Sequence, residues 1–484
     1  MSPFDLLSHS IAQEFKHLKT SRRNFLRNSA TVAALAAGGV AMKPSSTLAQ
    51  QNELPTRGEY LVRNAHVLSM DPVIGDIAGG DVHIRGGNIV AVGENLAAPQ
   101  AEVIDGEDMI CLPGLVETHW HIWTTMLRSM SGDEAQFGYF PTSRGIGAHY
   151  LAEDMYHSGR LALAEAAYSG TTFVHDWCHN VRSPEYAQAA LRALGESGLR
   201  ARFSYGSAAG QAADEPLDFA DIRALHESWS TYSDNDRLRL GLAWRGAGSS
   251  VSRDDYQRAR ELDLPISVHV NNFQSNAGGI AAIDAVGMLG PDVQLIHAIW
   301  SSPEEIRAVA ASGASLSLSP YTELRIGFGL PMTQEYLAAG VPIGLSVDTP
   351  TLSGNADMFA IMKAILNIAN GKALDEFALT ARRVLELATI EGARSMGVDA
   401  VTGSLSPGKR ADLIMVNTRH VNLGVFTDPA HMLVEAAQPS NVDTVIADGR
   451  ILKRDGALVN ADVDAIIDSA RSALAGVRAR AGWW

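Results

Sequence analysis

Between residues 114 and 400, short apolar runs alternate with longer, alanine-rich segments of helical periodicity. Short apolar runs bounded by turn residues are typical of strands buried on both faces, and the segments between them have the length of helices. Strands and helices alternating in this way predict a closed (β/α)8 barrel, an α/β fold. The eight predicted strands are 115–118, 171–174, 201–205, 238–244, 266–270, 293–296, 314–318 and 343–347.

The pattern changes on both sides of this region. Residues 58–113 and 412–452 consist of short strands divided by turn signals such as Asp-Pro and Gly-Gly. Neither stretch is long enough for a core of its own, so we expect the two to pair in one small β-sandwich domain. The predicted divisions are 50–113 and 401–457 for the two parts of the sandwich, 114–400 for the barrel and 458–484 for a C-terminal helix or tail.

Residues 1–49 have the features of a targeting segment. The sequence Ser-Arg-Arg-Asn-Phe-Leu-Arg begins at residue 21, and a weakly apolar, alanine-rich stretch follows at 31–42. A twin-arginine run before such a stretch predicts a signal peptide that ends near residue 49. We therefore expect export of the folded protein by the Tat machinery, and a periplasmic or secreted location.

Charge and cysteine content narrow the classes of partner. The chain has 39 basic and 54 acidic residues; without residues 1–49, 33 basic and 52 acidic residues remain, a net charge of −19. This acidic balance argues against nucleic acid and anionic membranes as partners. Two cysteines, Cys111 and Cys178, make no disulfide framework. A small-molecule substrate is the expected partner, without a membrane anchor, and the sequence leaves a homo-oligomer open.

Metal-binding side chains stand at the C-terminal ends of four predicted strands, where barrel enzymes carry their chemistry. His119 and His121 follow the first strand, and residues two apart in an extended chain point to the same side. His269 ends the fifth strand, His297 the sixth and Asp348 the eighth. Imidazoles and a carboxylate that converge at one end of a barrel predict a site for a divalent metal ion.

These residues and their flanks resemble the amidohydrolase superfamily, in particular its chlorohydrolase/aminohydrolase branch of triazine hydrolases and cytosine deaminase-like enzymes. Pro113-Gly114 before the histidine pair, and the runs 388–393 and 403–413, are similar to motifs of that branch. The resemblance spans roughly residues 58–455 and implies a metal-dependent hydrolase with a barrel and a split β-sandwich. The metal ligands that it implies are His119, His121, His269 and Asp348, with His297 contacting the substrate or the attacking water.

The resemblance also bears on the number of metal ions. Two-metal members of the superfamily have a carboxylated lysine at the end of the fourth strand. The predicted fourth strand has no lysine, and the lysines of the predicted barrel, Lys363 and Lys372, lie beyond its eighth strand. One divalent metal per chain is therefore expected. Zinc is the first choice, since three nitrogens and one carboxylate oxygen suit it; Fe2+, Co2+ or Mn2+ could use the same ligands.

Asn272 is a departure from the deaminases of this branch, which have a glutamate three residues after the fifth-strand histidine. That glutamate protonates the leaving amine, whereas an amide cannot transfer a proton. We therefore expect a metal-activated water to hydrolyse an amide, urea or carbamate bond of a small apolar or aromatic molecule, with Asp348 and His297 as catalytic residues. The alternatives are an aminohydrolase (deaminase) or dehalogenating hydrolase of a heterocycle and, more remotely, a non-catalytic metal-binding barrel protein.

Other side chains near the strand ends are candidates for substrate binding. Tryptophans at a barrel mouth, here Trp123 and Trp300, favour an apolar or planar ligand. Asn272, His297 and Arg325 could provide polar recognition, and Glu323 could replace the missing acid or pair with an arginine. The run 175–179 (His-Asp-Trp-Cys-His) after the second strand favours substrate contact or support of the ligands over a second metal site.

The twin-arginine interpretation predicts the fate of a variant precursor. Replacing both arginines, with Arg22→Lys and Arg23→Lys, should leave the precursor in the cytoplasm, because the Tat route depends on that pair, while activity there persists. Cell fractionation with an immunoblot measures the distribution, and Lys19→Arg is the matched control that should be exported normally. Normal export of the double variant would show that another route is used.

Overall fold

The computed structural model describes residues 54–483, and the predicted signal peptide lies outside the described residues. Within them the strands form a nine-stranded sheet and an eight-stranded sheet. The N-terminal segment contributes β1 (Glu59–Leu68), β2 (Asp76–Arg85), β3 (Asn88–Gly93), β4 (Glu102–Asp105) and β5 (Met109–Pro113). The barrel strands are β6 (Leu115–Val116), β7 (Thr171–Cys178), β8 (Arg200–Tyr205), β9 (Leu238–Trp244), β10 (Ile266–Val270), β11 (Val293–His297), β12 (Ser315–Leu318) and β13 (Ile343–Leu345). The C-terminal segment contributes β14 (Leu413–Asn417), β15 (Val442–Ala447), β16 (Arg450–Arg454) and β17 (Ala457–Leu458).

Strands β6 to β13 are parallel neighbours in chain order, which confirms the predicted barrel. The chain continues past β6 in an extended course and closes the barrel against the end of β13. Thr118 N–H donates to the carbonyl of Leu345 at 3.1 Å. Further along, Asp348 N–H donates to the carbonyl of His119 at 2.9 Å, and His121 N–H donates to that of Asp348 at 2.7 Å. We call this pair of segments the closing seam.

At least one helix connects each pair of consecutive barrel strands, and several of these helices begin at a residue whose side chain caps them. In the helix after β11, the Ser302 hydroxyl accepts from the backbone N–H of Glu305, Pro303 takes the first position, and Gly313 ends the helix at φ +76°. No helix within residues 54–483 is both long and apolar enough to cross a bilayer. The helices are α1 (Tyr139–Gly147), α2 (Ala152–Tyr168), α3 (Pro184–Ser197), α4 (Phe219–Glu227), α5 (Ser250–Glu261), α6 (Gly279–Ala285), α7 (Pro303–Ser312), α8 (Pro320–Arg325), α9 (Thr333–Ala338), α10 (Pro350–Ser353), α11 (Met358–Ala373), α12 (Ala381–Leu387), α13 (Ile390–Ser395), α14 (Pro429–Ala436) and α15 (Val463–Ala481).

The nine-stranded sheet joins the two ends of the chain, as the sequence predicts. Its order is β17-β16-β15-β14-β5-β1-β2-β3, and β4 pairs with β1 as a branch. The junction between the N- and C-terminal segments is the antiparallel pair β5–β14, where Leu112 faces Ile414. Strands β15 and β16 are separated by a two-residue turn, in which Asp448 and Gly449 both have positive φ.

A buried ion-pair network ties this sheet to the barrel. Asp448 has a fully buried side chain, and Arg200, the first residue of β8, contacts it at 3.2 Å and Asp412 at 3.0 Å. Removing one partner from a buried ion pair leaves the other charge unpaired in a poor solvent, which costs about 3–5 kcal/mol. The other arginines that contact Asp448 are Arg57, Arg410 and Arg450.

Asp448→Asn should therefore destabilise the protein strongly. Asparagine also tolerates positive φ, so the variant keeps the turn and removes only the charge. We expect the free energy of unfolding to fall by about 3 kcal/mol or more in chemical denaturation. Asp76→Asn is the control, because Asp76 pairs with Arg382 on the surface at 2.8 Å and should contribute less than about 1 kcal/mol. Equal losses would mean that the buried network does not hold the two parts together.

Candidate active site

Four predicted ligands meet at the C-terminal end of the barrel. The ligand atoms of His119, His121, His269 and Asp348 all lie within 4.8 Å of one another. Nε2 of His119 and Nε2 of His121 are each 3.2 Å from Oδ1 of Asp348. The closing seam fixes this proximity, because it joins the backbone of Asp348 directly to the backbones of both histidines.

The residues of this group fit a divalent metal ion. His119 is fully buried, and neither of its ring nitrogens makes a hydrogen bond to any described residue. Buried polar atoms without a partner are rare, so this imidazole is suited to a ligand. Nδ1–H of His121 donates to the carbonyl of Trp177 at 3.0 Å, which leaves Nε2 free to face the group. Three nitrogens and one carboxylate oxygen form a donor set that zinc accepts.

Electrostatics keep these side chains in their ligating forms. Burial lowers the pKa of His119 to about 3 and the pKa of His269 well below its usual value, so both imidazoles are neutral. Burial alone would raise the pKa of Asp348, but its contacts with His119 and His121 hold that pKa well below its usual range. A neutral imidazole and an ionised carboxylate are the forms that bind a metal.

His297 stands beside the ligand group and is held from behind by Glu323. Its Nε2 is 3.8 Å from Oδ2 of Asp348, and its Nδ1 lies 3.1 Å from Oε1 of Glu323, which also accepts from Ser319 N–H at 2.8 Å. His297 has φ +69° and Asp348 φ +60°, conformations that L-residues rarely adopt. We infer that Glu323 fixes the ring of His297 with Nε2 towards the ligand group.

A cavity of about 650 Å³ opens above the ligand group. Phe328 lies 5.1 Å from the ring of His297 and 4.7 Å from Phe273, and Phe273 lies 6.1 Å from Phe140. These rings form a continuous aromatic wall from the ligand group outward, which suits a planar ligand. The cavity is lined by His121, Trp123, Tyr139, Phe140, Ser143, Arg144, Trp177, His179, Ser207, Ala208, Ala209, Gly210, Gln211, His269, Asn272, Phe273, Asn276, His297, Thr322, Ile326, Phe328 and Asp348.

Three of the six predicted substrate-binding residues, Trp123, Asn272 and His297, line this cavity. Trp300, Glu323 and Arg325 are not among its lining residues. The indole of Trp300 donates to the carbonyl of Phe328 at 2.8 Å and so supports the aromatic wall from outside. Glu323 is fully buried behind His297.

Arg325 is turned towards the surface. Its guanidinium is 3.5 Å from Asp133 and its side chain is 47 % exposed. Arg325 is the last residue of α8 and is not among the lining residues, although Thr322 on the same helix and the next residue, Ile326, are.

The run 175–179 supports the site without forming a second metal site. Nδ1 of His175 lies 2.8 Å from the Thr118 carbonyl and Nε2 lies 2.8 Å from the Ser204 hydroxyl, so both nitrogens are used structurally. Burial raises the pKa of Asp176 to about 8. His179 lines the cavity, where the indole N–H of Trp123 donates to its Nδ1 at 3.3 Å.

Sequence patterns missed the residues of α1. Tyr139, Phe140, Ser143 and Arg144 line the cavity, yet no strand or helix was predicted between the first strand and the helix at 152. The length of that interval was the available signal, because long connections in a compact domain are often functional. Glu117 was also missed: its buried carboxylate accepts from His119 N–H at 2.8 Å, beneath the ligand group.

Comparison with known proteins agrees with this geometry. The profile of the amidohydrolase family matches residues 110–452. A 5'-deoxyadenosine deaminase of Methanothermobacter thermautotrophicus is 30% identical over 436 residues, which cover 85% of this chain and 99% of that protein. An adenosine deaminase of Xanthomonas campestris with bound zinc superposes with a TM-score of 0.77 at 22% identity, over 88% of this chain and 100% of that one. An atrazine chlorohydrolase of Arthrobacter aurescens complexed with zinc has a TM-score of 0.76 at 21% identity, over 86% of this chain and 100% of that one.

The chain belongs to the amidohydrolase family. It is an enzyme, a hydrolase acting on carbon–nitrogen bonds other than peptide bonds. The expected fold of that family, a parallel barrel with a sheet built from both chain ends, is the fold observed.

The geometry predicts one tightly bound divalent metal per chain. Elemental analysis of the purified protein should give about one equivalent, because only one group of four ligands converges in the described residues. His269→Asn should lose most of that metal. His179→Gln, beside His121 but outside the group, should keep it. Two tightly held equivalents, or normal content in His269→Asn, would contradict this assignment.

Proposed function

We propose that the protein is a metal-dependent aminohydrolase that removes an amino group from a planar nitrogen heterocycle of the purine nucleoside type. The observation that carries the proposal is the likeness to 5'-deoxyadenosine deaminases over 85% of this chain and 99% of the relative. A cavity walled by aromatic rings above a buried three-histidine, one-aspartate group supports the same class of substrate. The proposal replaces amide hydrolysis, the first expectation from the sequence, with its alternative.

In this proposal His119, His121, His269 and Asp348 hold the metal ion, with zinc as the first choice. A divalent metal ion so held lowers the pKa of water from 15.7 towards about 7 and so supplies a nucleophile at neutral pH. The aromatic wall orients the flat face of the heterocycle so that its amino-bearing carbon lies above the ligand group.

Proton transfer falls to Asp348 and His297. Oδ2 of Asp348 is the carboxylate oxygen on the side of His297 and is placed to accept a proton from the attacking water. His297 Nε2 faces the same space, because Glu323 occupies Nδ1. Asn272 lines the cavity at the position of the family's acid, and its amide can position the ring but cannot protonate it. The leaving amine therefore receives its proton through Asp348 and His297.

Hydrolysis of an amide, urea or carbamate is the second candidate, and Asn272 is the observation that favours it. The two candidates differ in their products: deamination releases ammonia and leaves a carbonyl on the ring, whereas hydrolysis of these bonds releases an amine together with an acid or carbon dioxide. The test is a screen of the metal-loaded protein for ammonia release from 5'-deoxyadenosine and adenosine, beside a panel of anilides, phenylureas and carbamates. Turnover confined to the panel would overturn the deaminase proposal.

Two variants, both assayed with the preferred substrate, separate the role of Asn272 from that of Asp348. Asn272→Ala should lower kcat/KM by at most about tenfold, because one hydrogen bond contributes roughly 0.5–1.5 kcal/mol. Asp348→Asn removes a charged ligand and the proton acceptor, so kcat should fall by several orders of magnitude, given that general acid–base catalysis contributes about 10²–10⁴. Steady-state kinetics on both variants decides this. Equal losses would place Asn272 in the proton path and remove the argument for Asp348 as the base.

The location of the enzyme is a separate proposal. We propose that residues 1–49 direct export of the folded protein through the Tat machinery to the periplasm or the medium. The twin arginines and the weakly apolar stretch after them support it. Folding before export suits an enzyme that acquires its metal in the cytoplasm.

A further inference from the structure

The outer part of the cavity has an unneutralised positive charge. Arg144, an exposed residue of α1 at the mouth of the cavity, is the only lysine or arginine among the lining residues, and Asp348, which belongs to the four-residue ligand group, is the only acidic one. No carboxylate of the described residues forms an ion pair with Arg144. Its guanidinium lies 5.7 Å from the ring centroid of Phe140, a contact that leaves its N–H donors available.

The side-chain amide of Asn276, which also lines the cavity, offers hydrogen-bond donors rather than acceptors. Oδ1 of Asn276 already accepts from the backbone N–H of Phe273 at 2.8 Å. Its Nδ2 has no hydrogen bond to a described residue, and Asn276 lines the cavity. Gln211 offers no comparable group, because its oxygen accepts from Ala208 N–H and its nitrogen donates to the carbonyl of Pro216.

The aromatic wall relates these donors to the ligand group. The guanidinium of Arg144 lies over the ring of Phe140, and Asn276 accepts the hydrogen bond from the backbone N–H of Phe273. The rings of Phe140 and Phe273 are 6.1 Å apart and form the outer end of the wall, so Arg144 and Asn276 both lie at that end. From Phe273 the wall continues through Phe328 to His297 at its inner end. A flat ligand against this wall has one end at the ligand group and the other near Arg144.

We propose that the outer part of the cavity is a subsite for a negatively charged substituent of the substrate, and that Arg144 is the residue that selects it. A guanidinium donates charge-assisted hydrogen bonds, which are stronger than those between neutral groups. Because the chain as a whole has a net charge of −15, an anionic substrate is favoured only where such a local cation faces it. The inference deepens the proposed function by naming a feature of its substrate, and it rests on that proposal only for the reaction at the inner end.

Arg144 takes the role that the sequence suggested for Arg325. Both arginines are exposed near the barrel mouth, but Arg144 lines the cavity, whereas Arg325 faces Asp133 and is not among the lining residues. Arg325 is therefore a matched control of the same residue type, in the same region of the protein.

The test is an equilibrium titration of the metal-loaded protein, followed by tryptophan fluorescence, since Trp123 and Trp177 line the cavity. The probes are naphthalene-2-sulfonate and its neutral counterpart, methyl 2-naphthyl sulfone. The natural protein should bind the sulfonate about fivefold to tenfold more tightly than the sulfone, and added salt should reduce this ratio. Arg144→Met should bring the ratio near one, Arg144→Lys should keep part of it, and Arg325→Met should leave it unchanged.

A ratio near one in the natural protein, or a ratio that survives in Arg144→Met, would overturn the subsite. Loss of the ratio in Arg325→Met as well would also overturn it, because the effect would then come from general surface charge. Thermal denaturation of each variant confirms that it is folded. Since the titration requires no turnover, its outcome is separate from that of the ammonia assay. If adenosine proves to be a substrate, adenosine-5'-carboxylic acid should have the lower KM, and Arg144→Met should remove the difference.

Discussion

The closing seam of the barrel is the constraint on which the site depends. Its backbone hydrogen bonds close the cylinder, and two of them, from Asp348 to His119 and from His121 to Asp348, also bring together the candidate ligands that follow the first and last barrel strands. The carboxylate of Glu117 reinforces the seam from below, since it accepts from the backbone N–H groups of His119 and Val347. The spacing of the candidate metal ligands is therefore a property of barrel closure, and a change in strand register at the seam would move His119, His121 and Asp348 at once.

Much of this arrangement can be predicted from the sequence, because the signals for the strands and for the residues at their ends are local. Buried strands produce apolar runs, and a histidine or aspartate at the end of such a run points into the mouth of a barrel, so the four residues that the structure brings together could be selected from the sequence. The residues that form the walls of the cavity could not be predicted in this way, because α1 belongs to a long connection whose path depends on tertiary packing. The same limit explains Glu323 and Arg325: they are two residues apart on one short helix, yet one is buried against His297 and the other faces solvent.

The position of Asn272 is where local chemistry and family likeness point in different directions. An amide at that position removes the acid that the branch's deaminases use, whereas relatives matched over nearly their whole length are deaminases. The His297–Glu323 pair offers a physical reconciliation, because a buried carboxylate now stands behind the histidine that faces the reacting group. The chain thus has an amide at the cavity wall and an acid behind His297, one layer deeper.

The central claim, that the closing seam assembles a single-metal centre from three imidazoles and one carboxylate, is tested most directly by X-ray absorption spectroscopy of the metal-loaded protein. The account predicts a first coordination shell of nitrogen and oxygen at about 2.0–2.2 Å, with outer-shell scattering from three imidazole rings. A metal–metal vector at about 3.5–4 Å, the separation of two-metal sites, or fewer than three imidazoles, would contradict it.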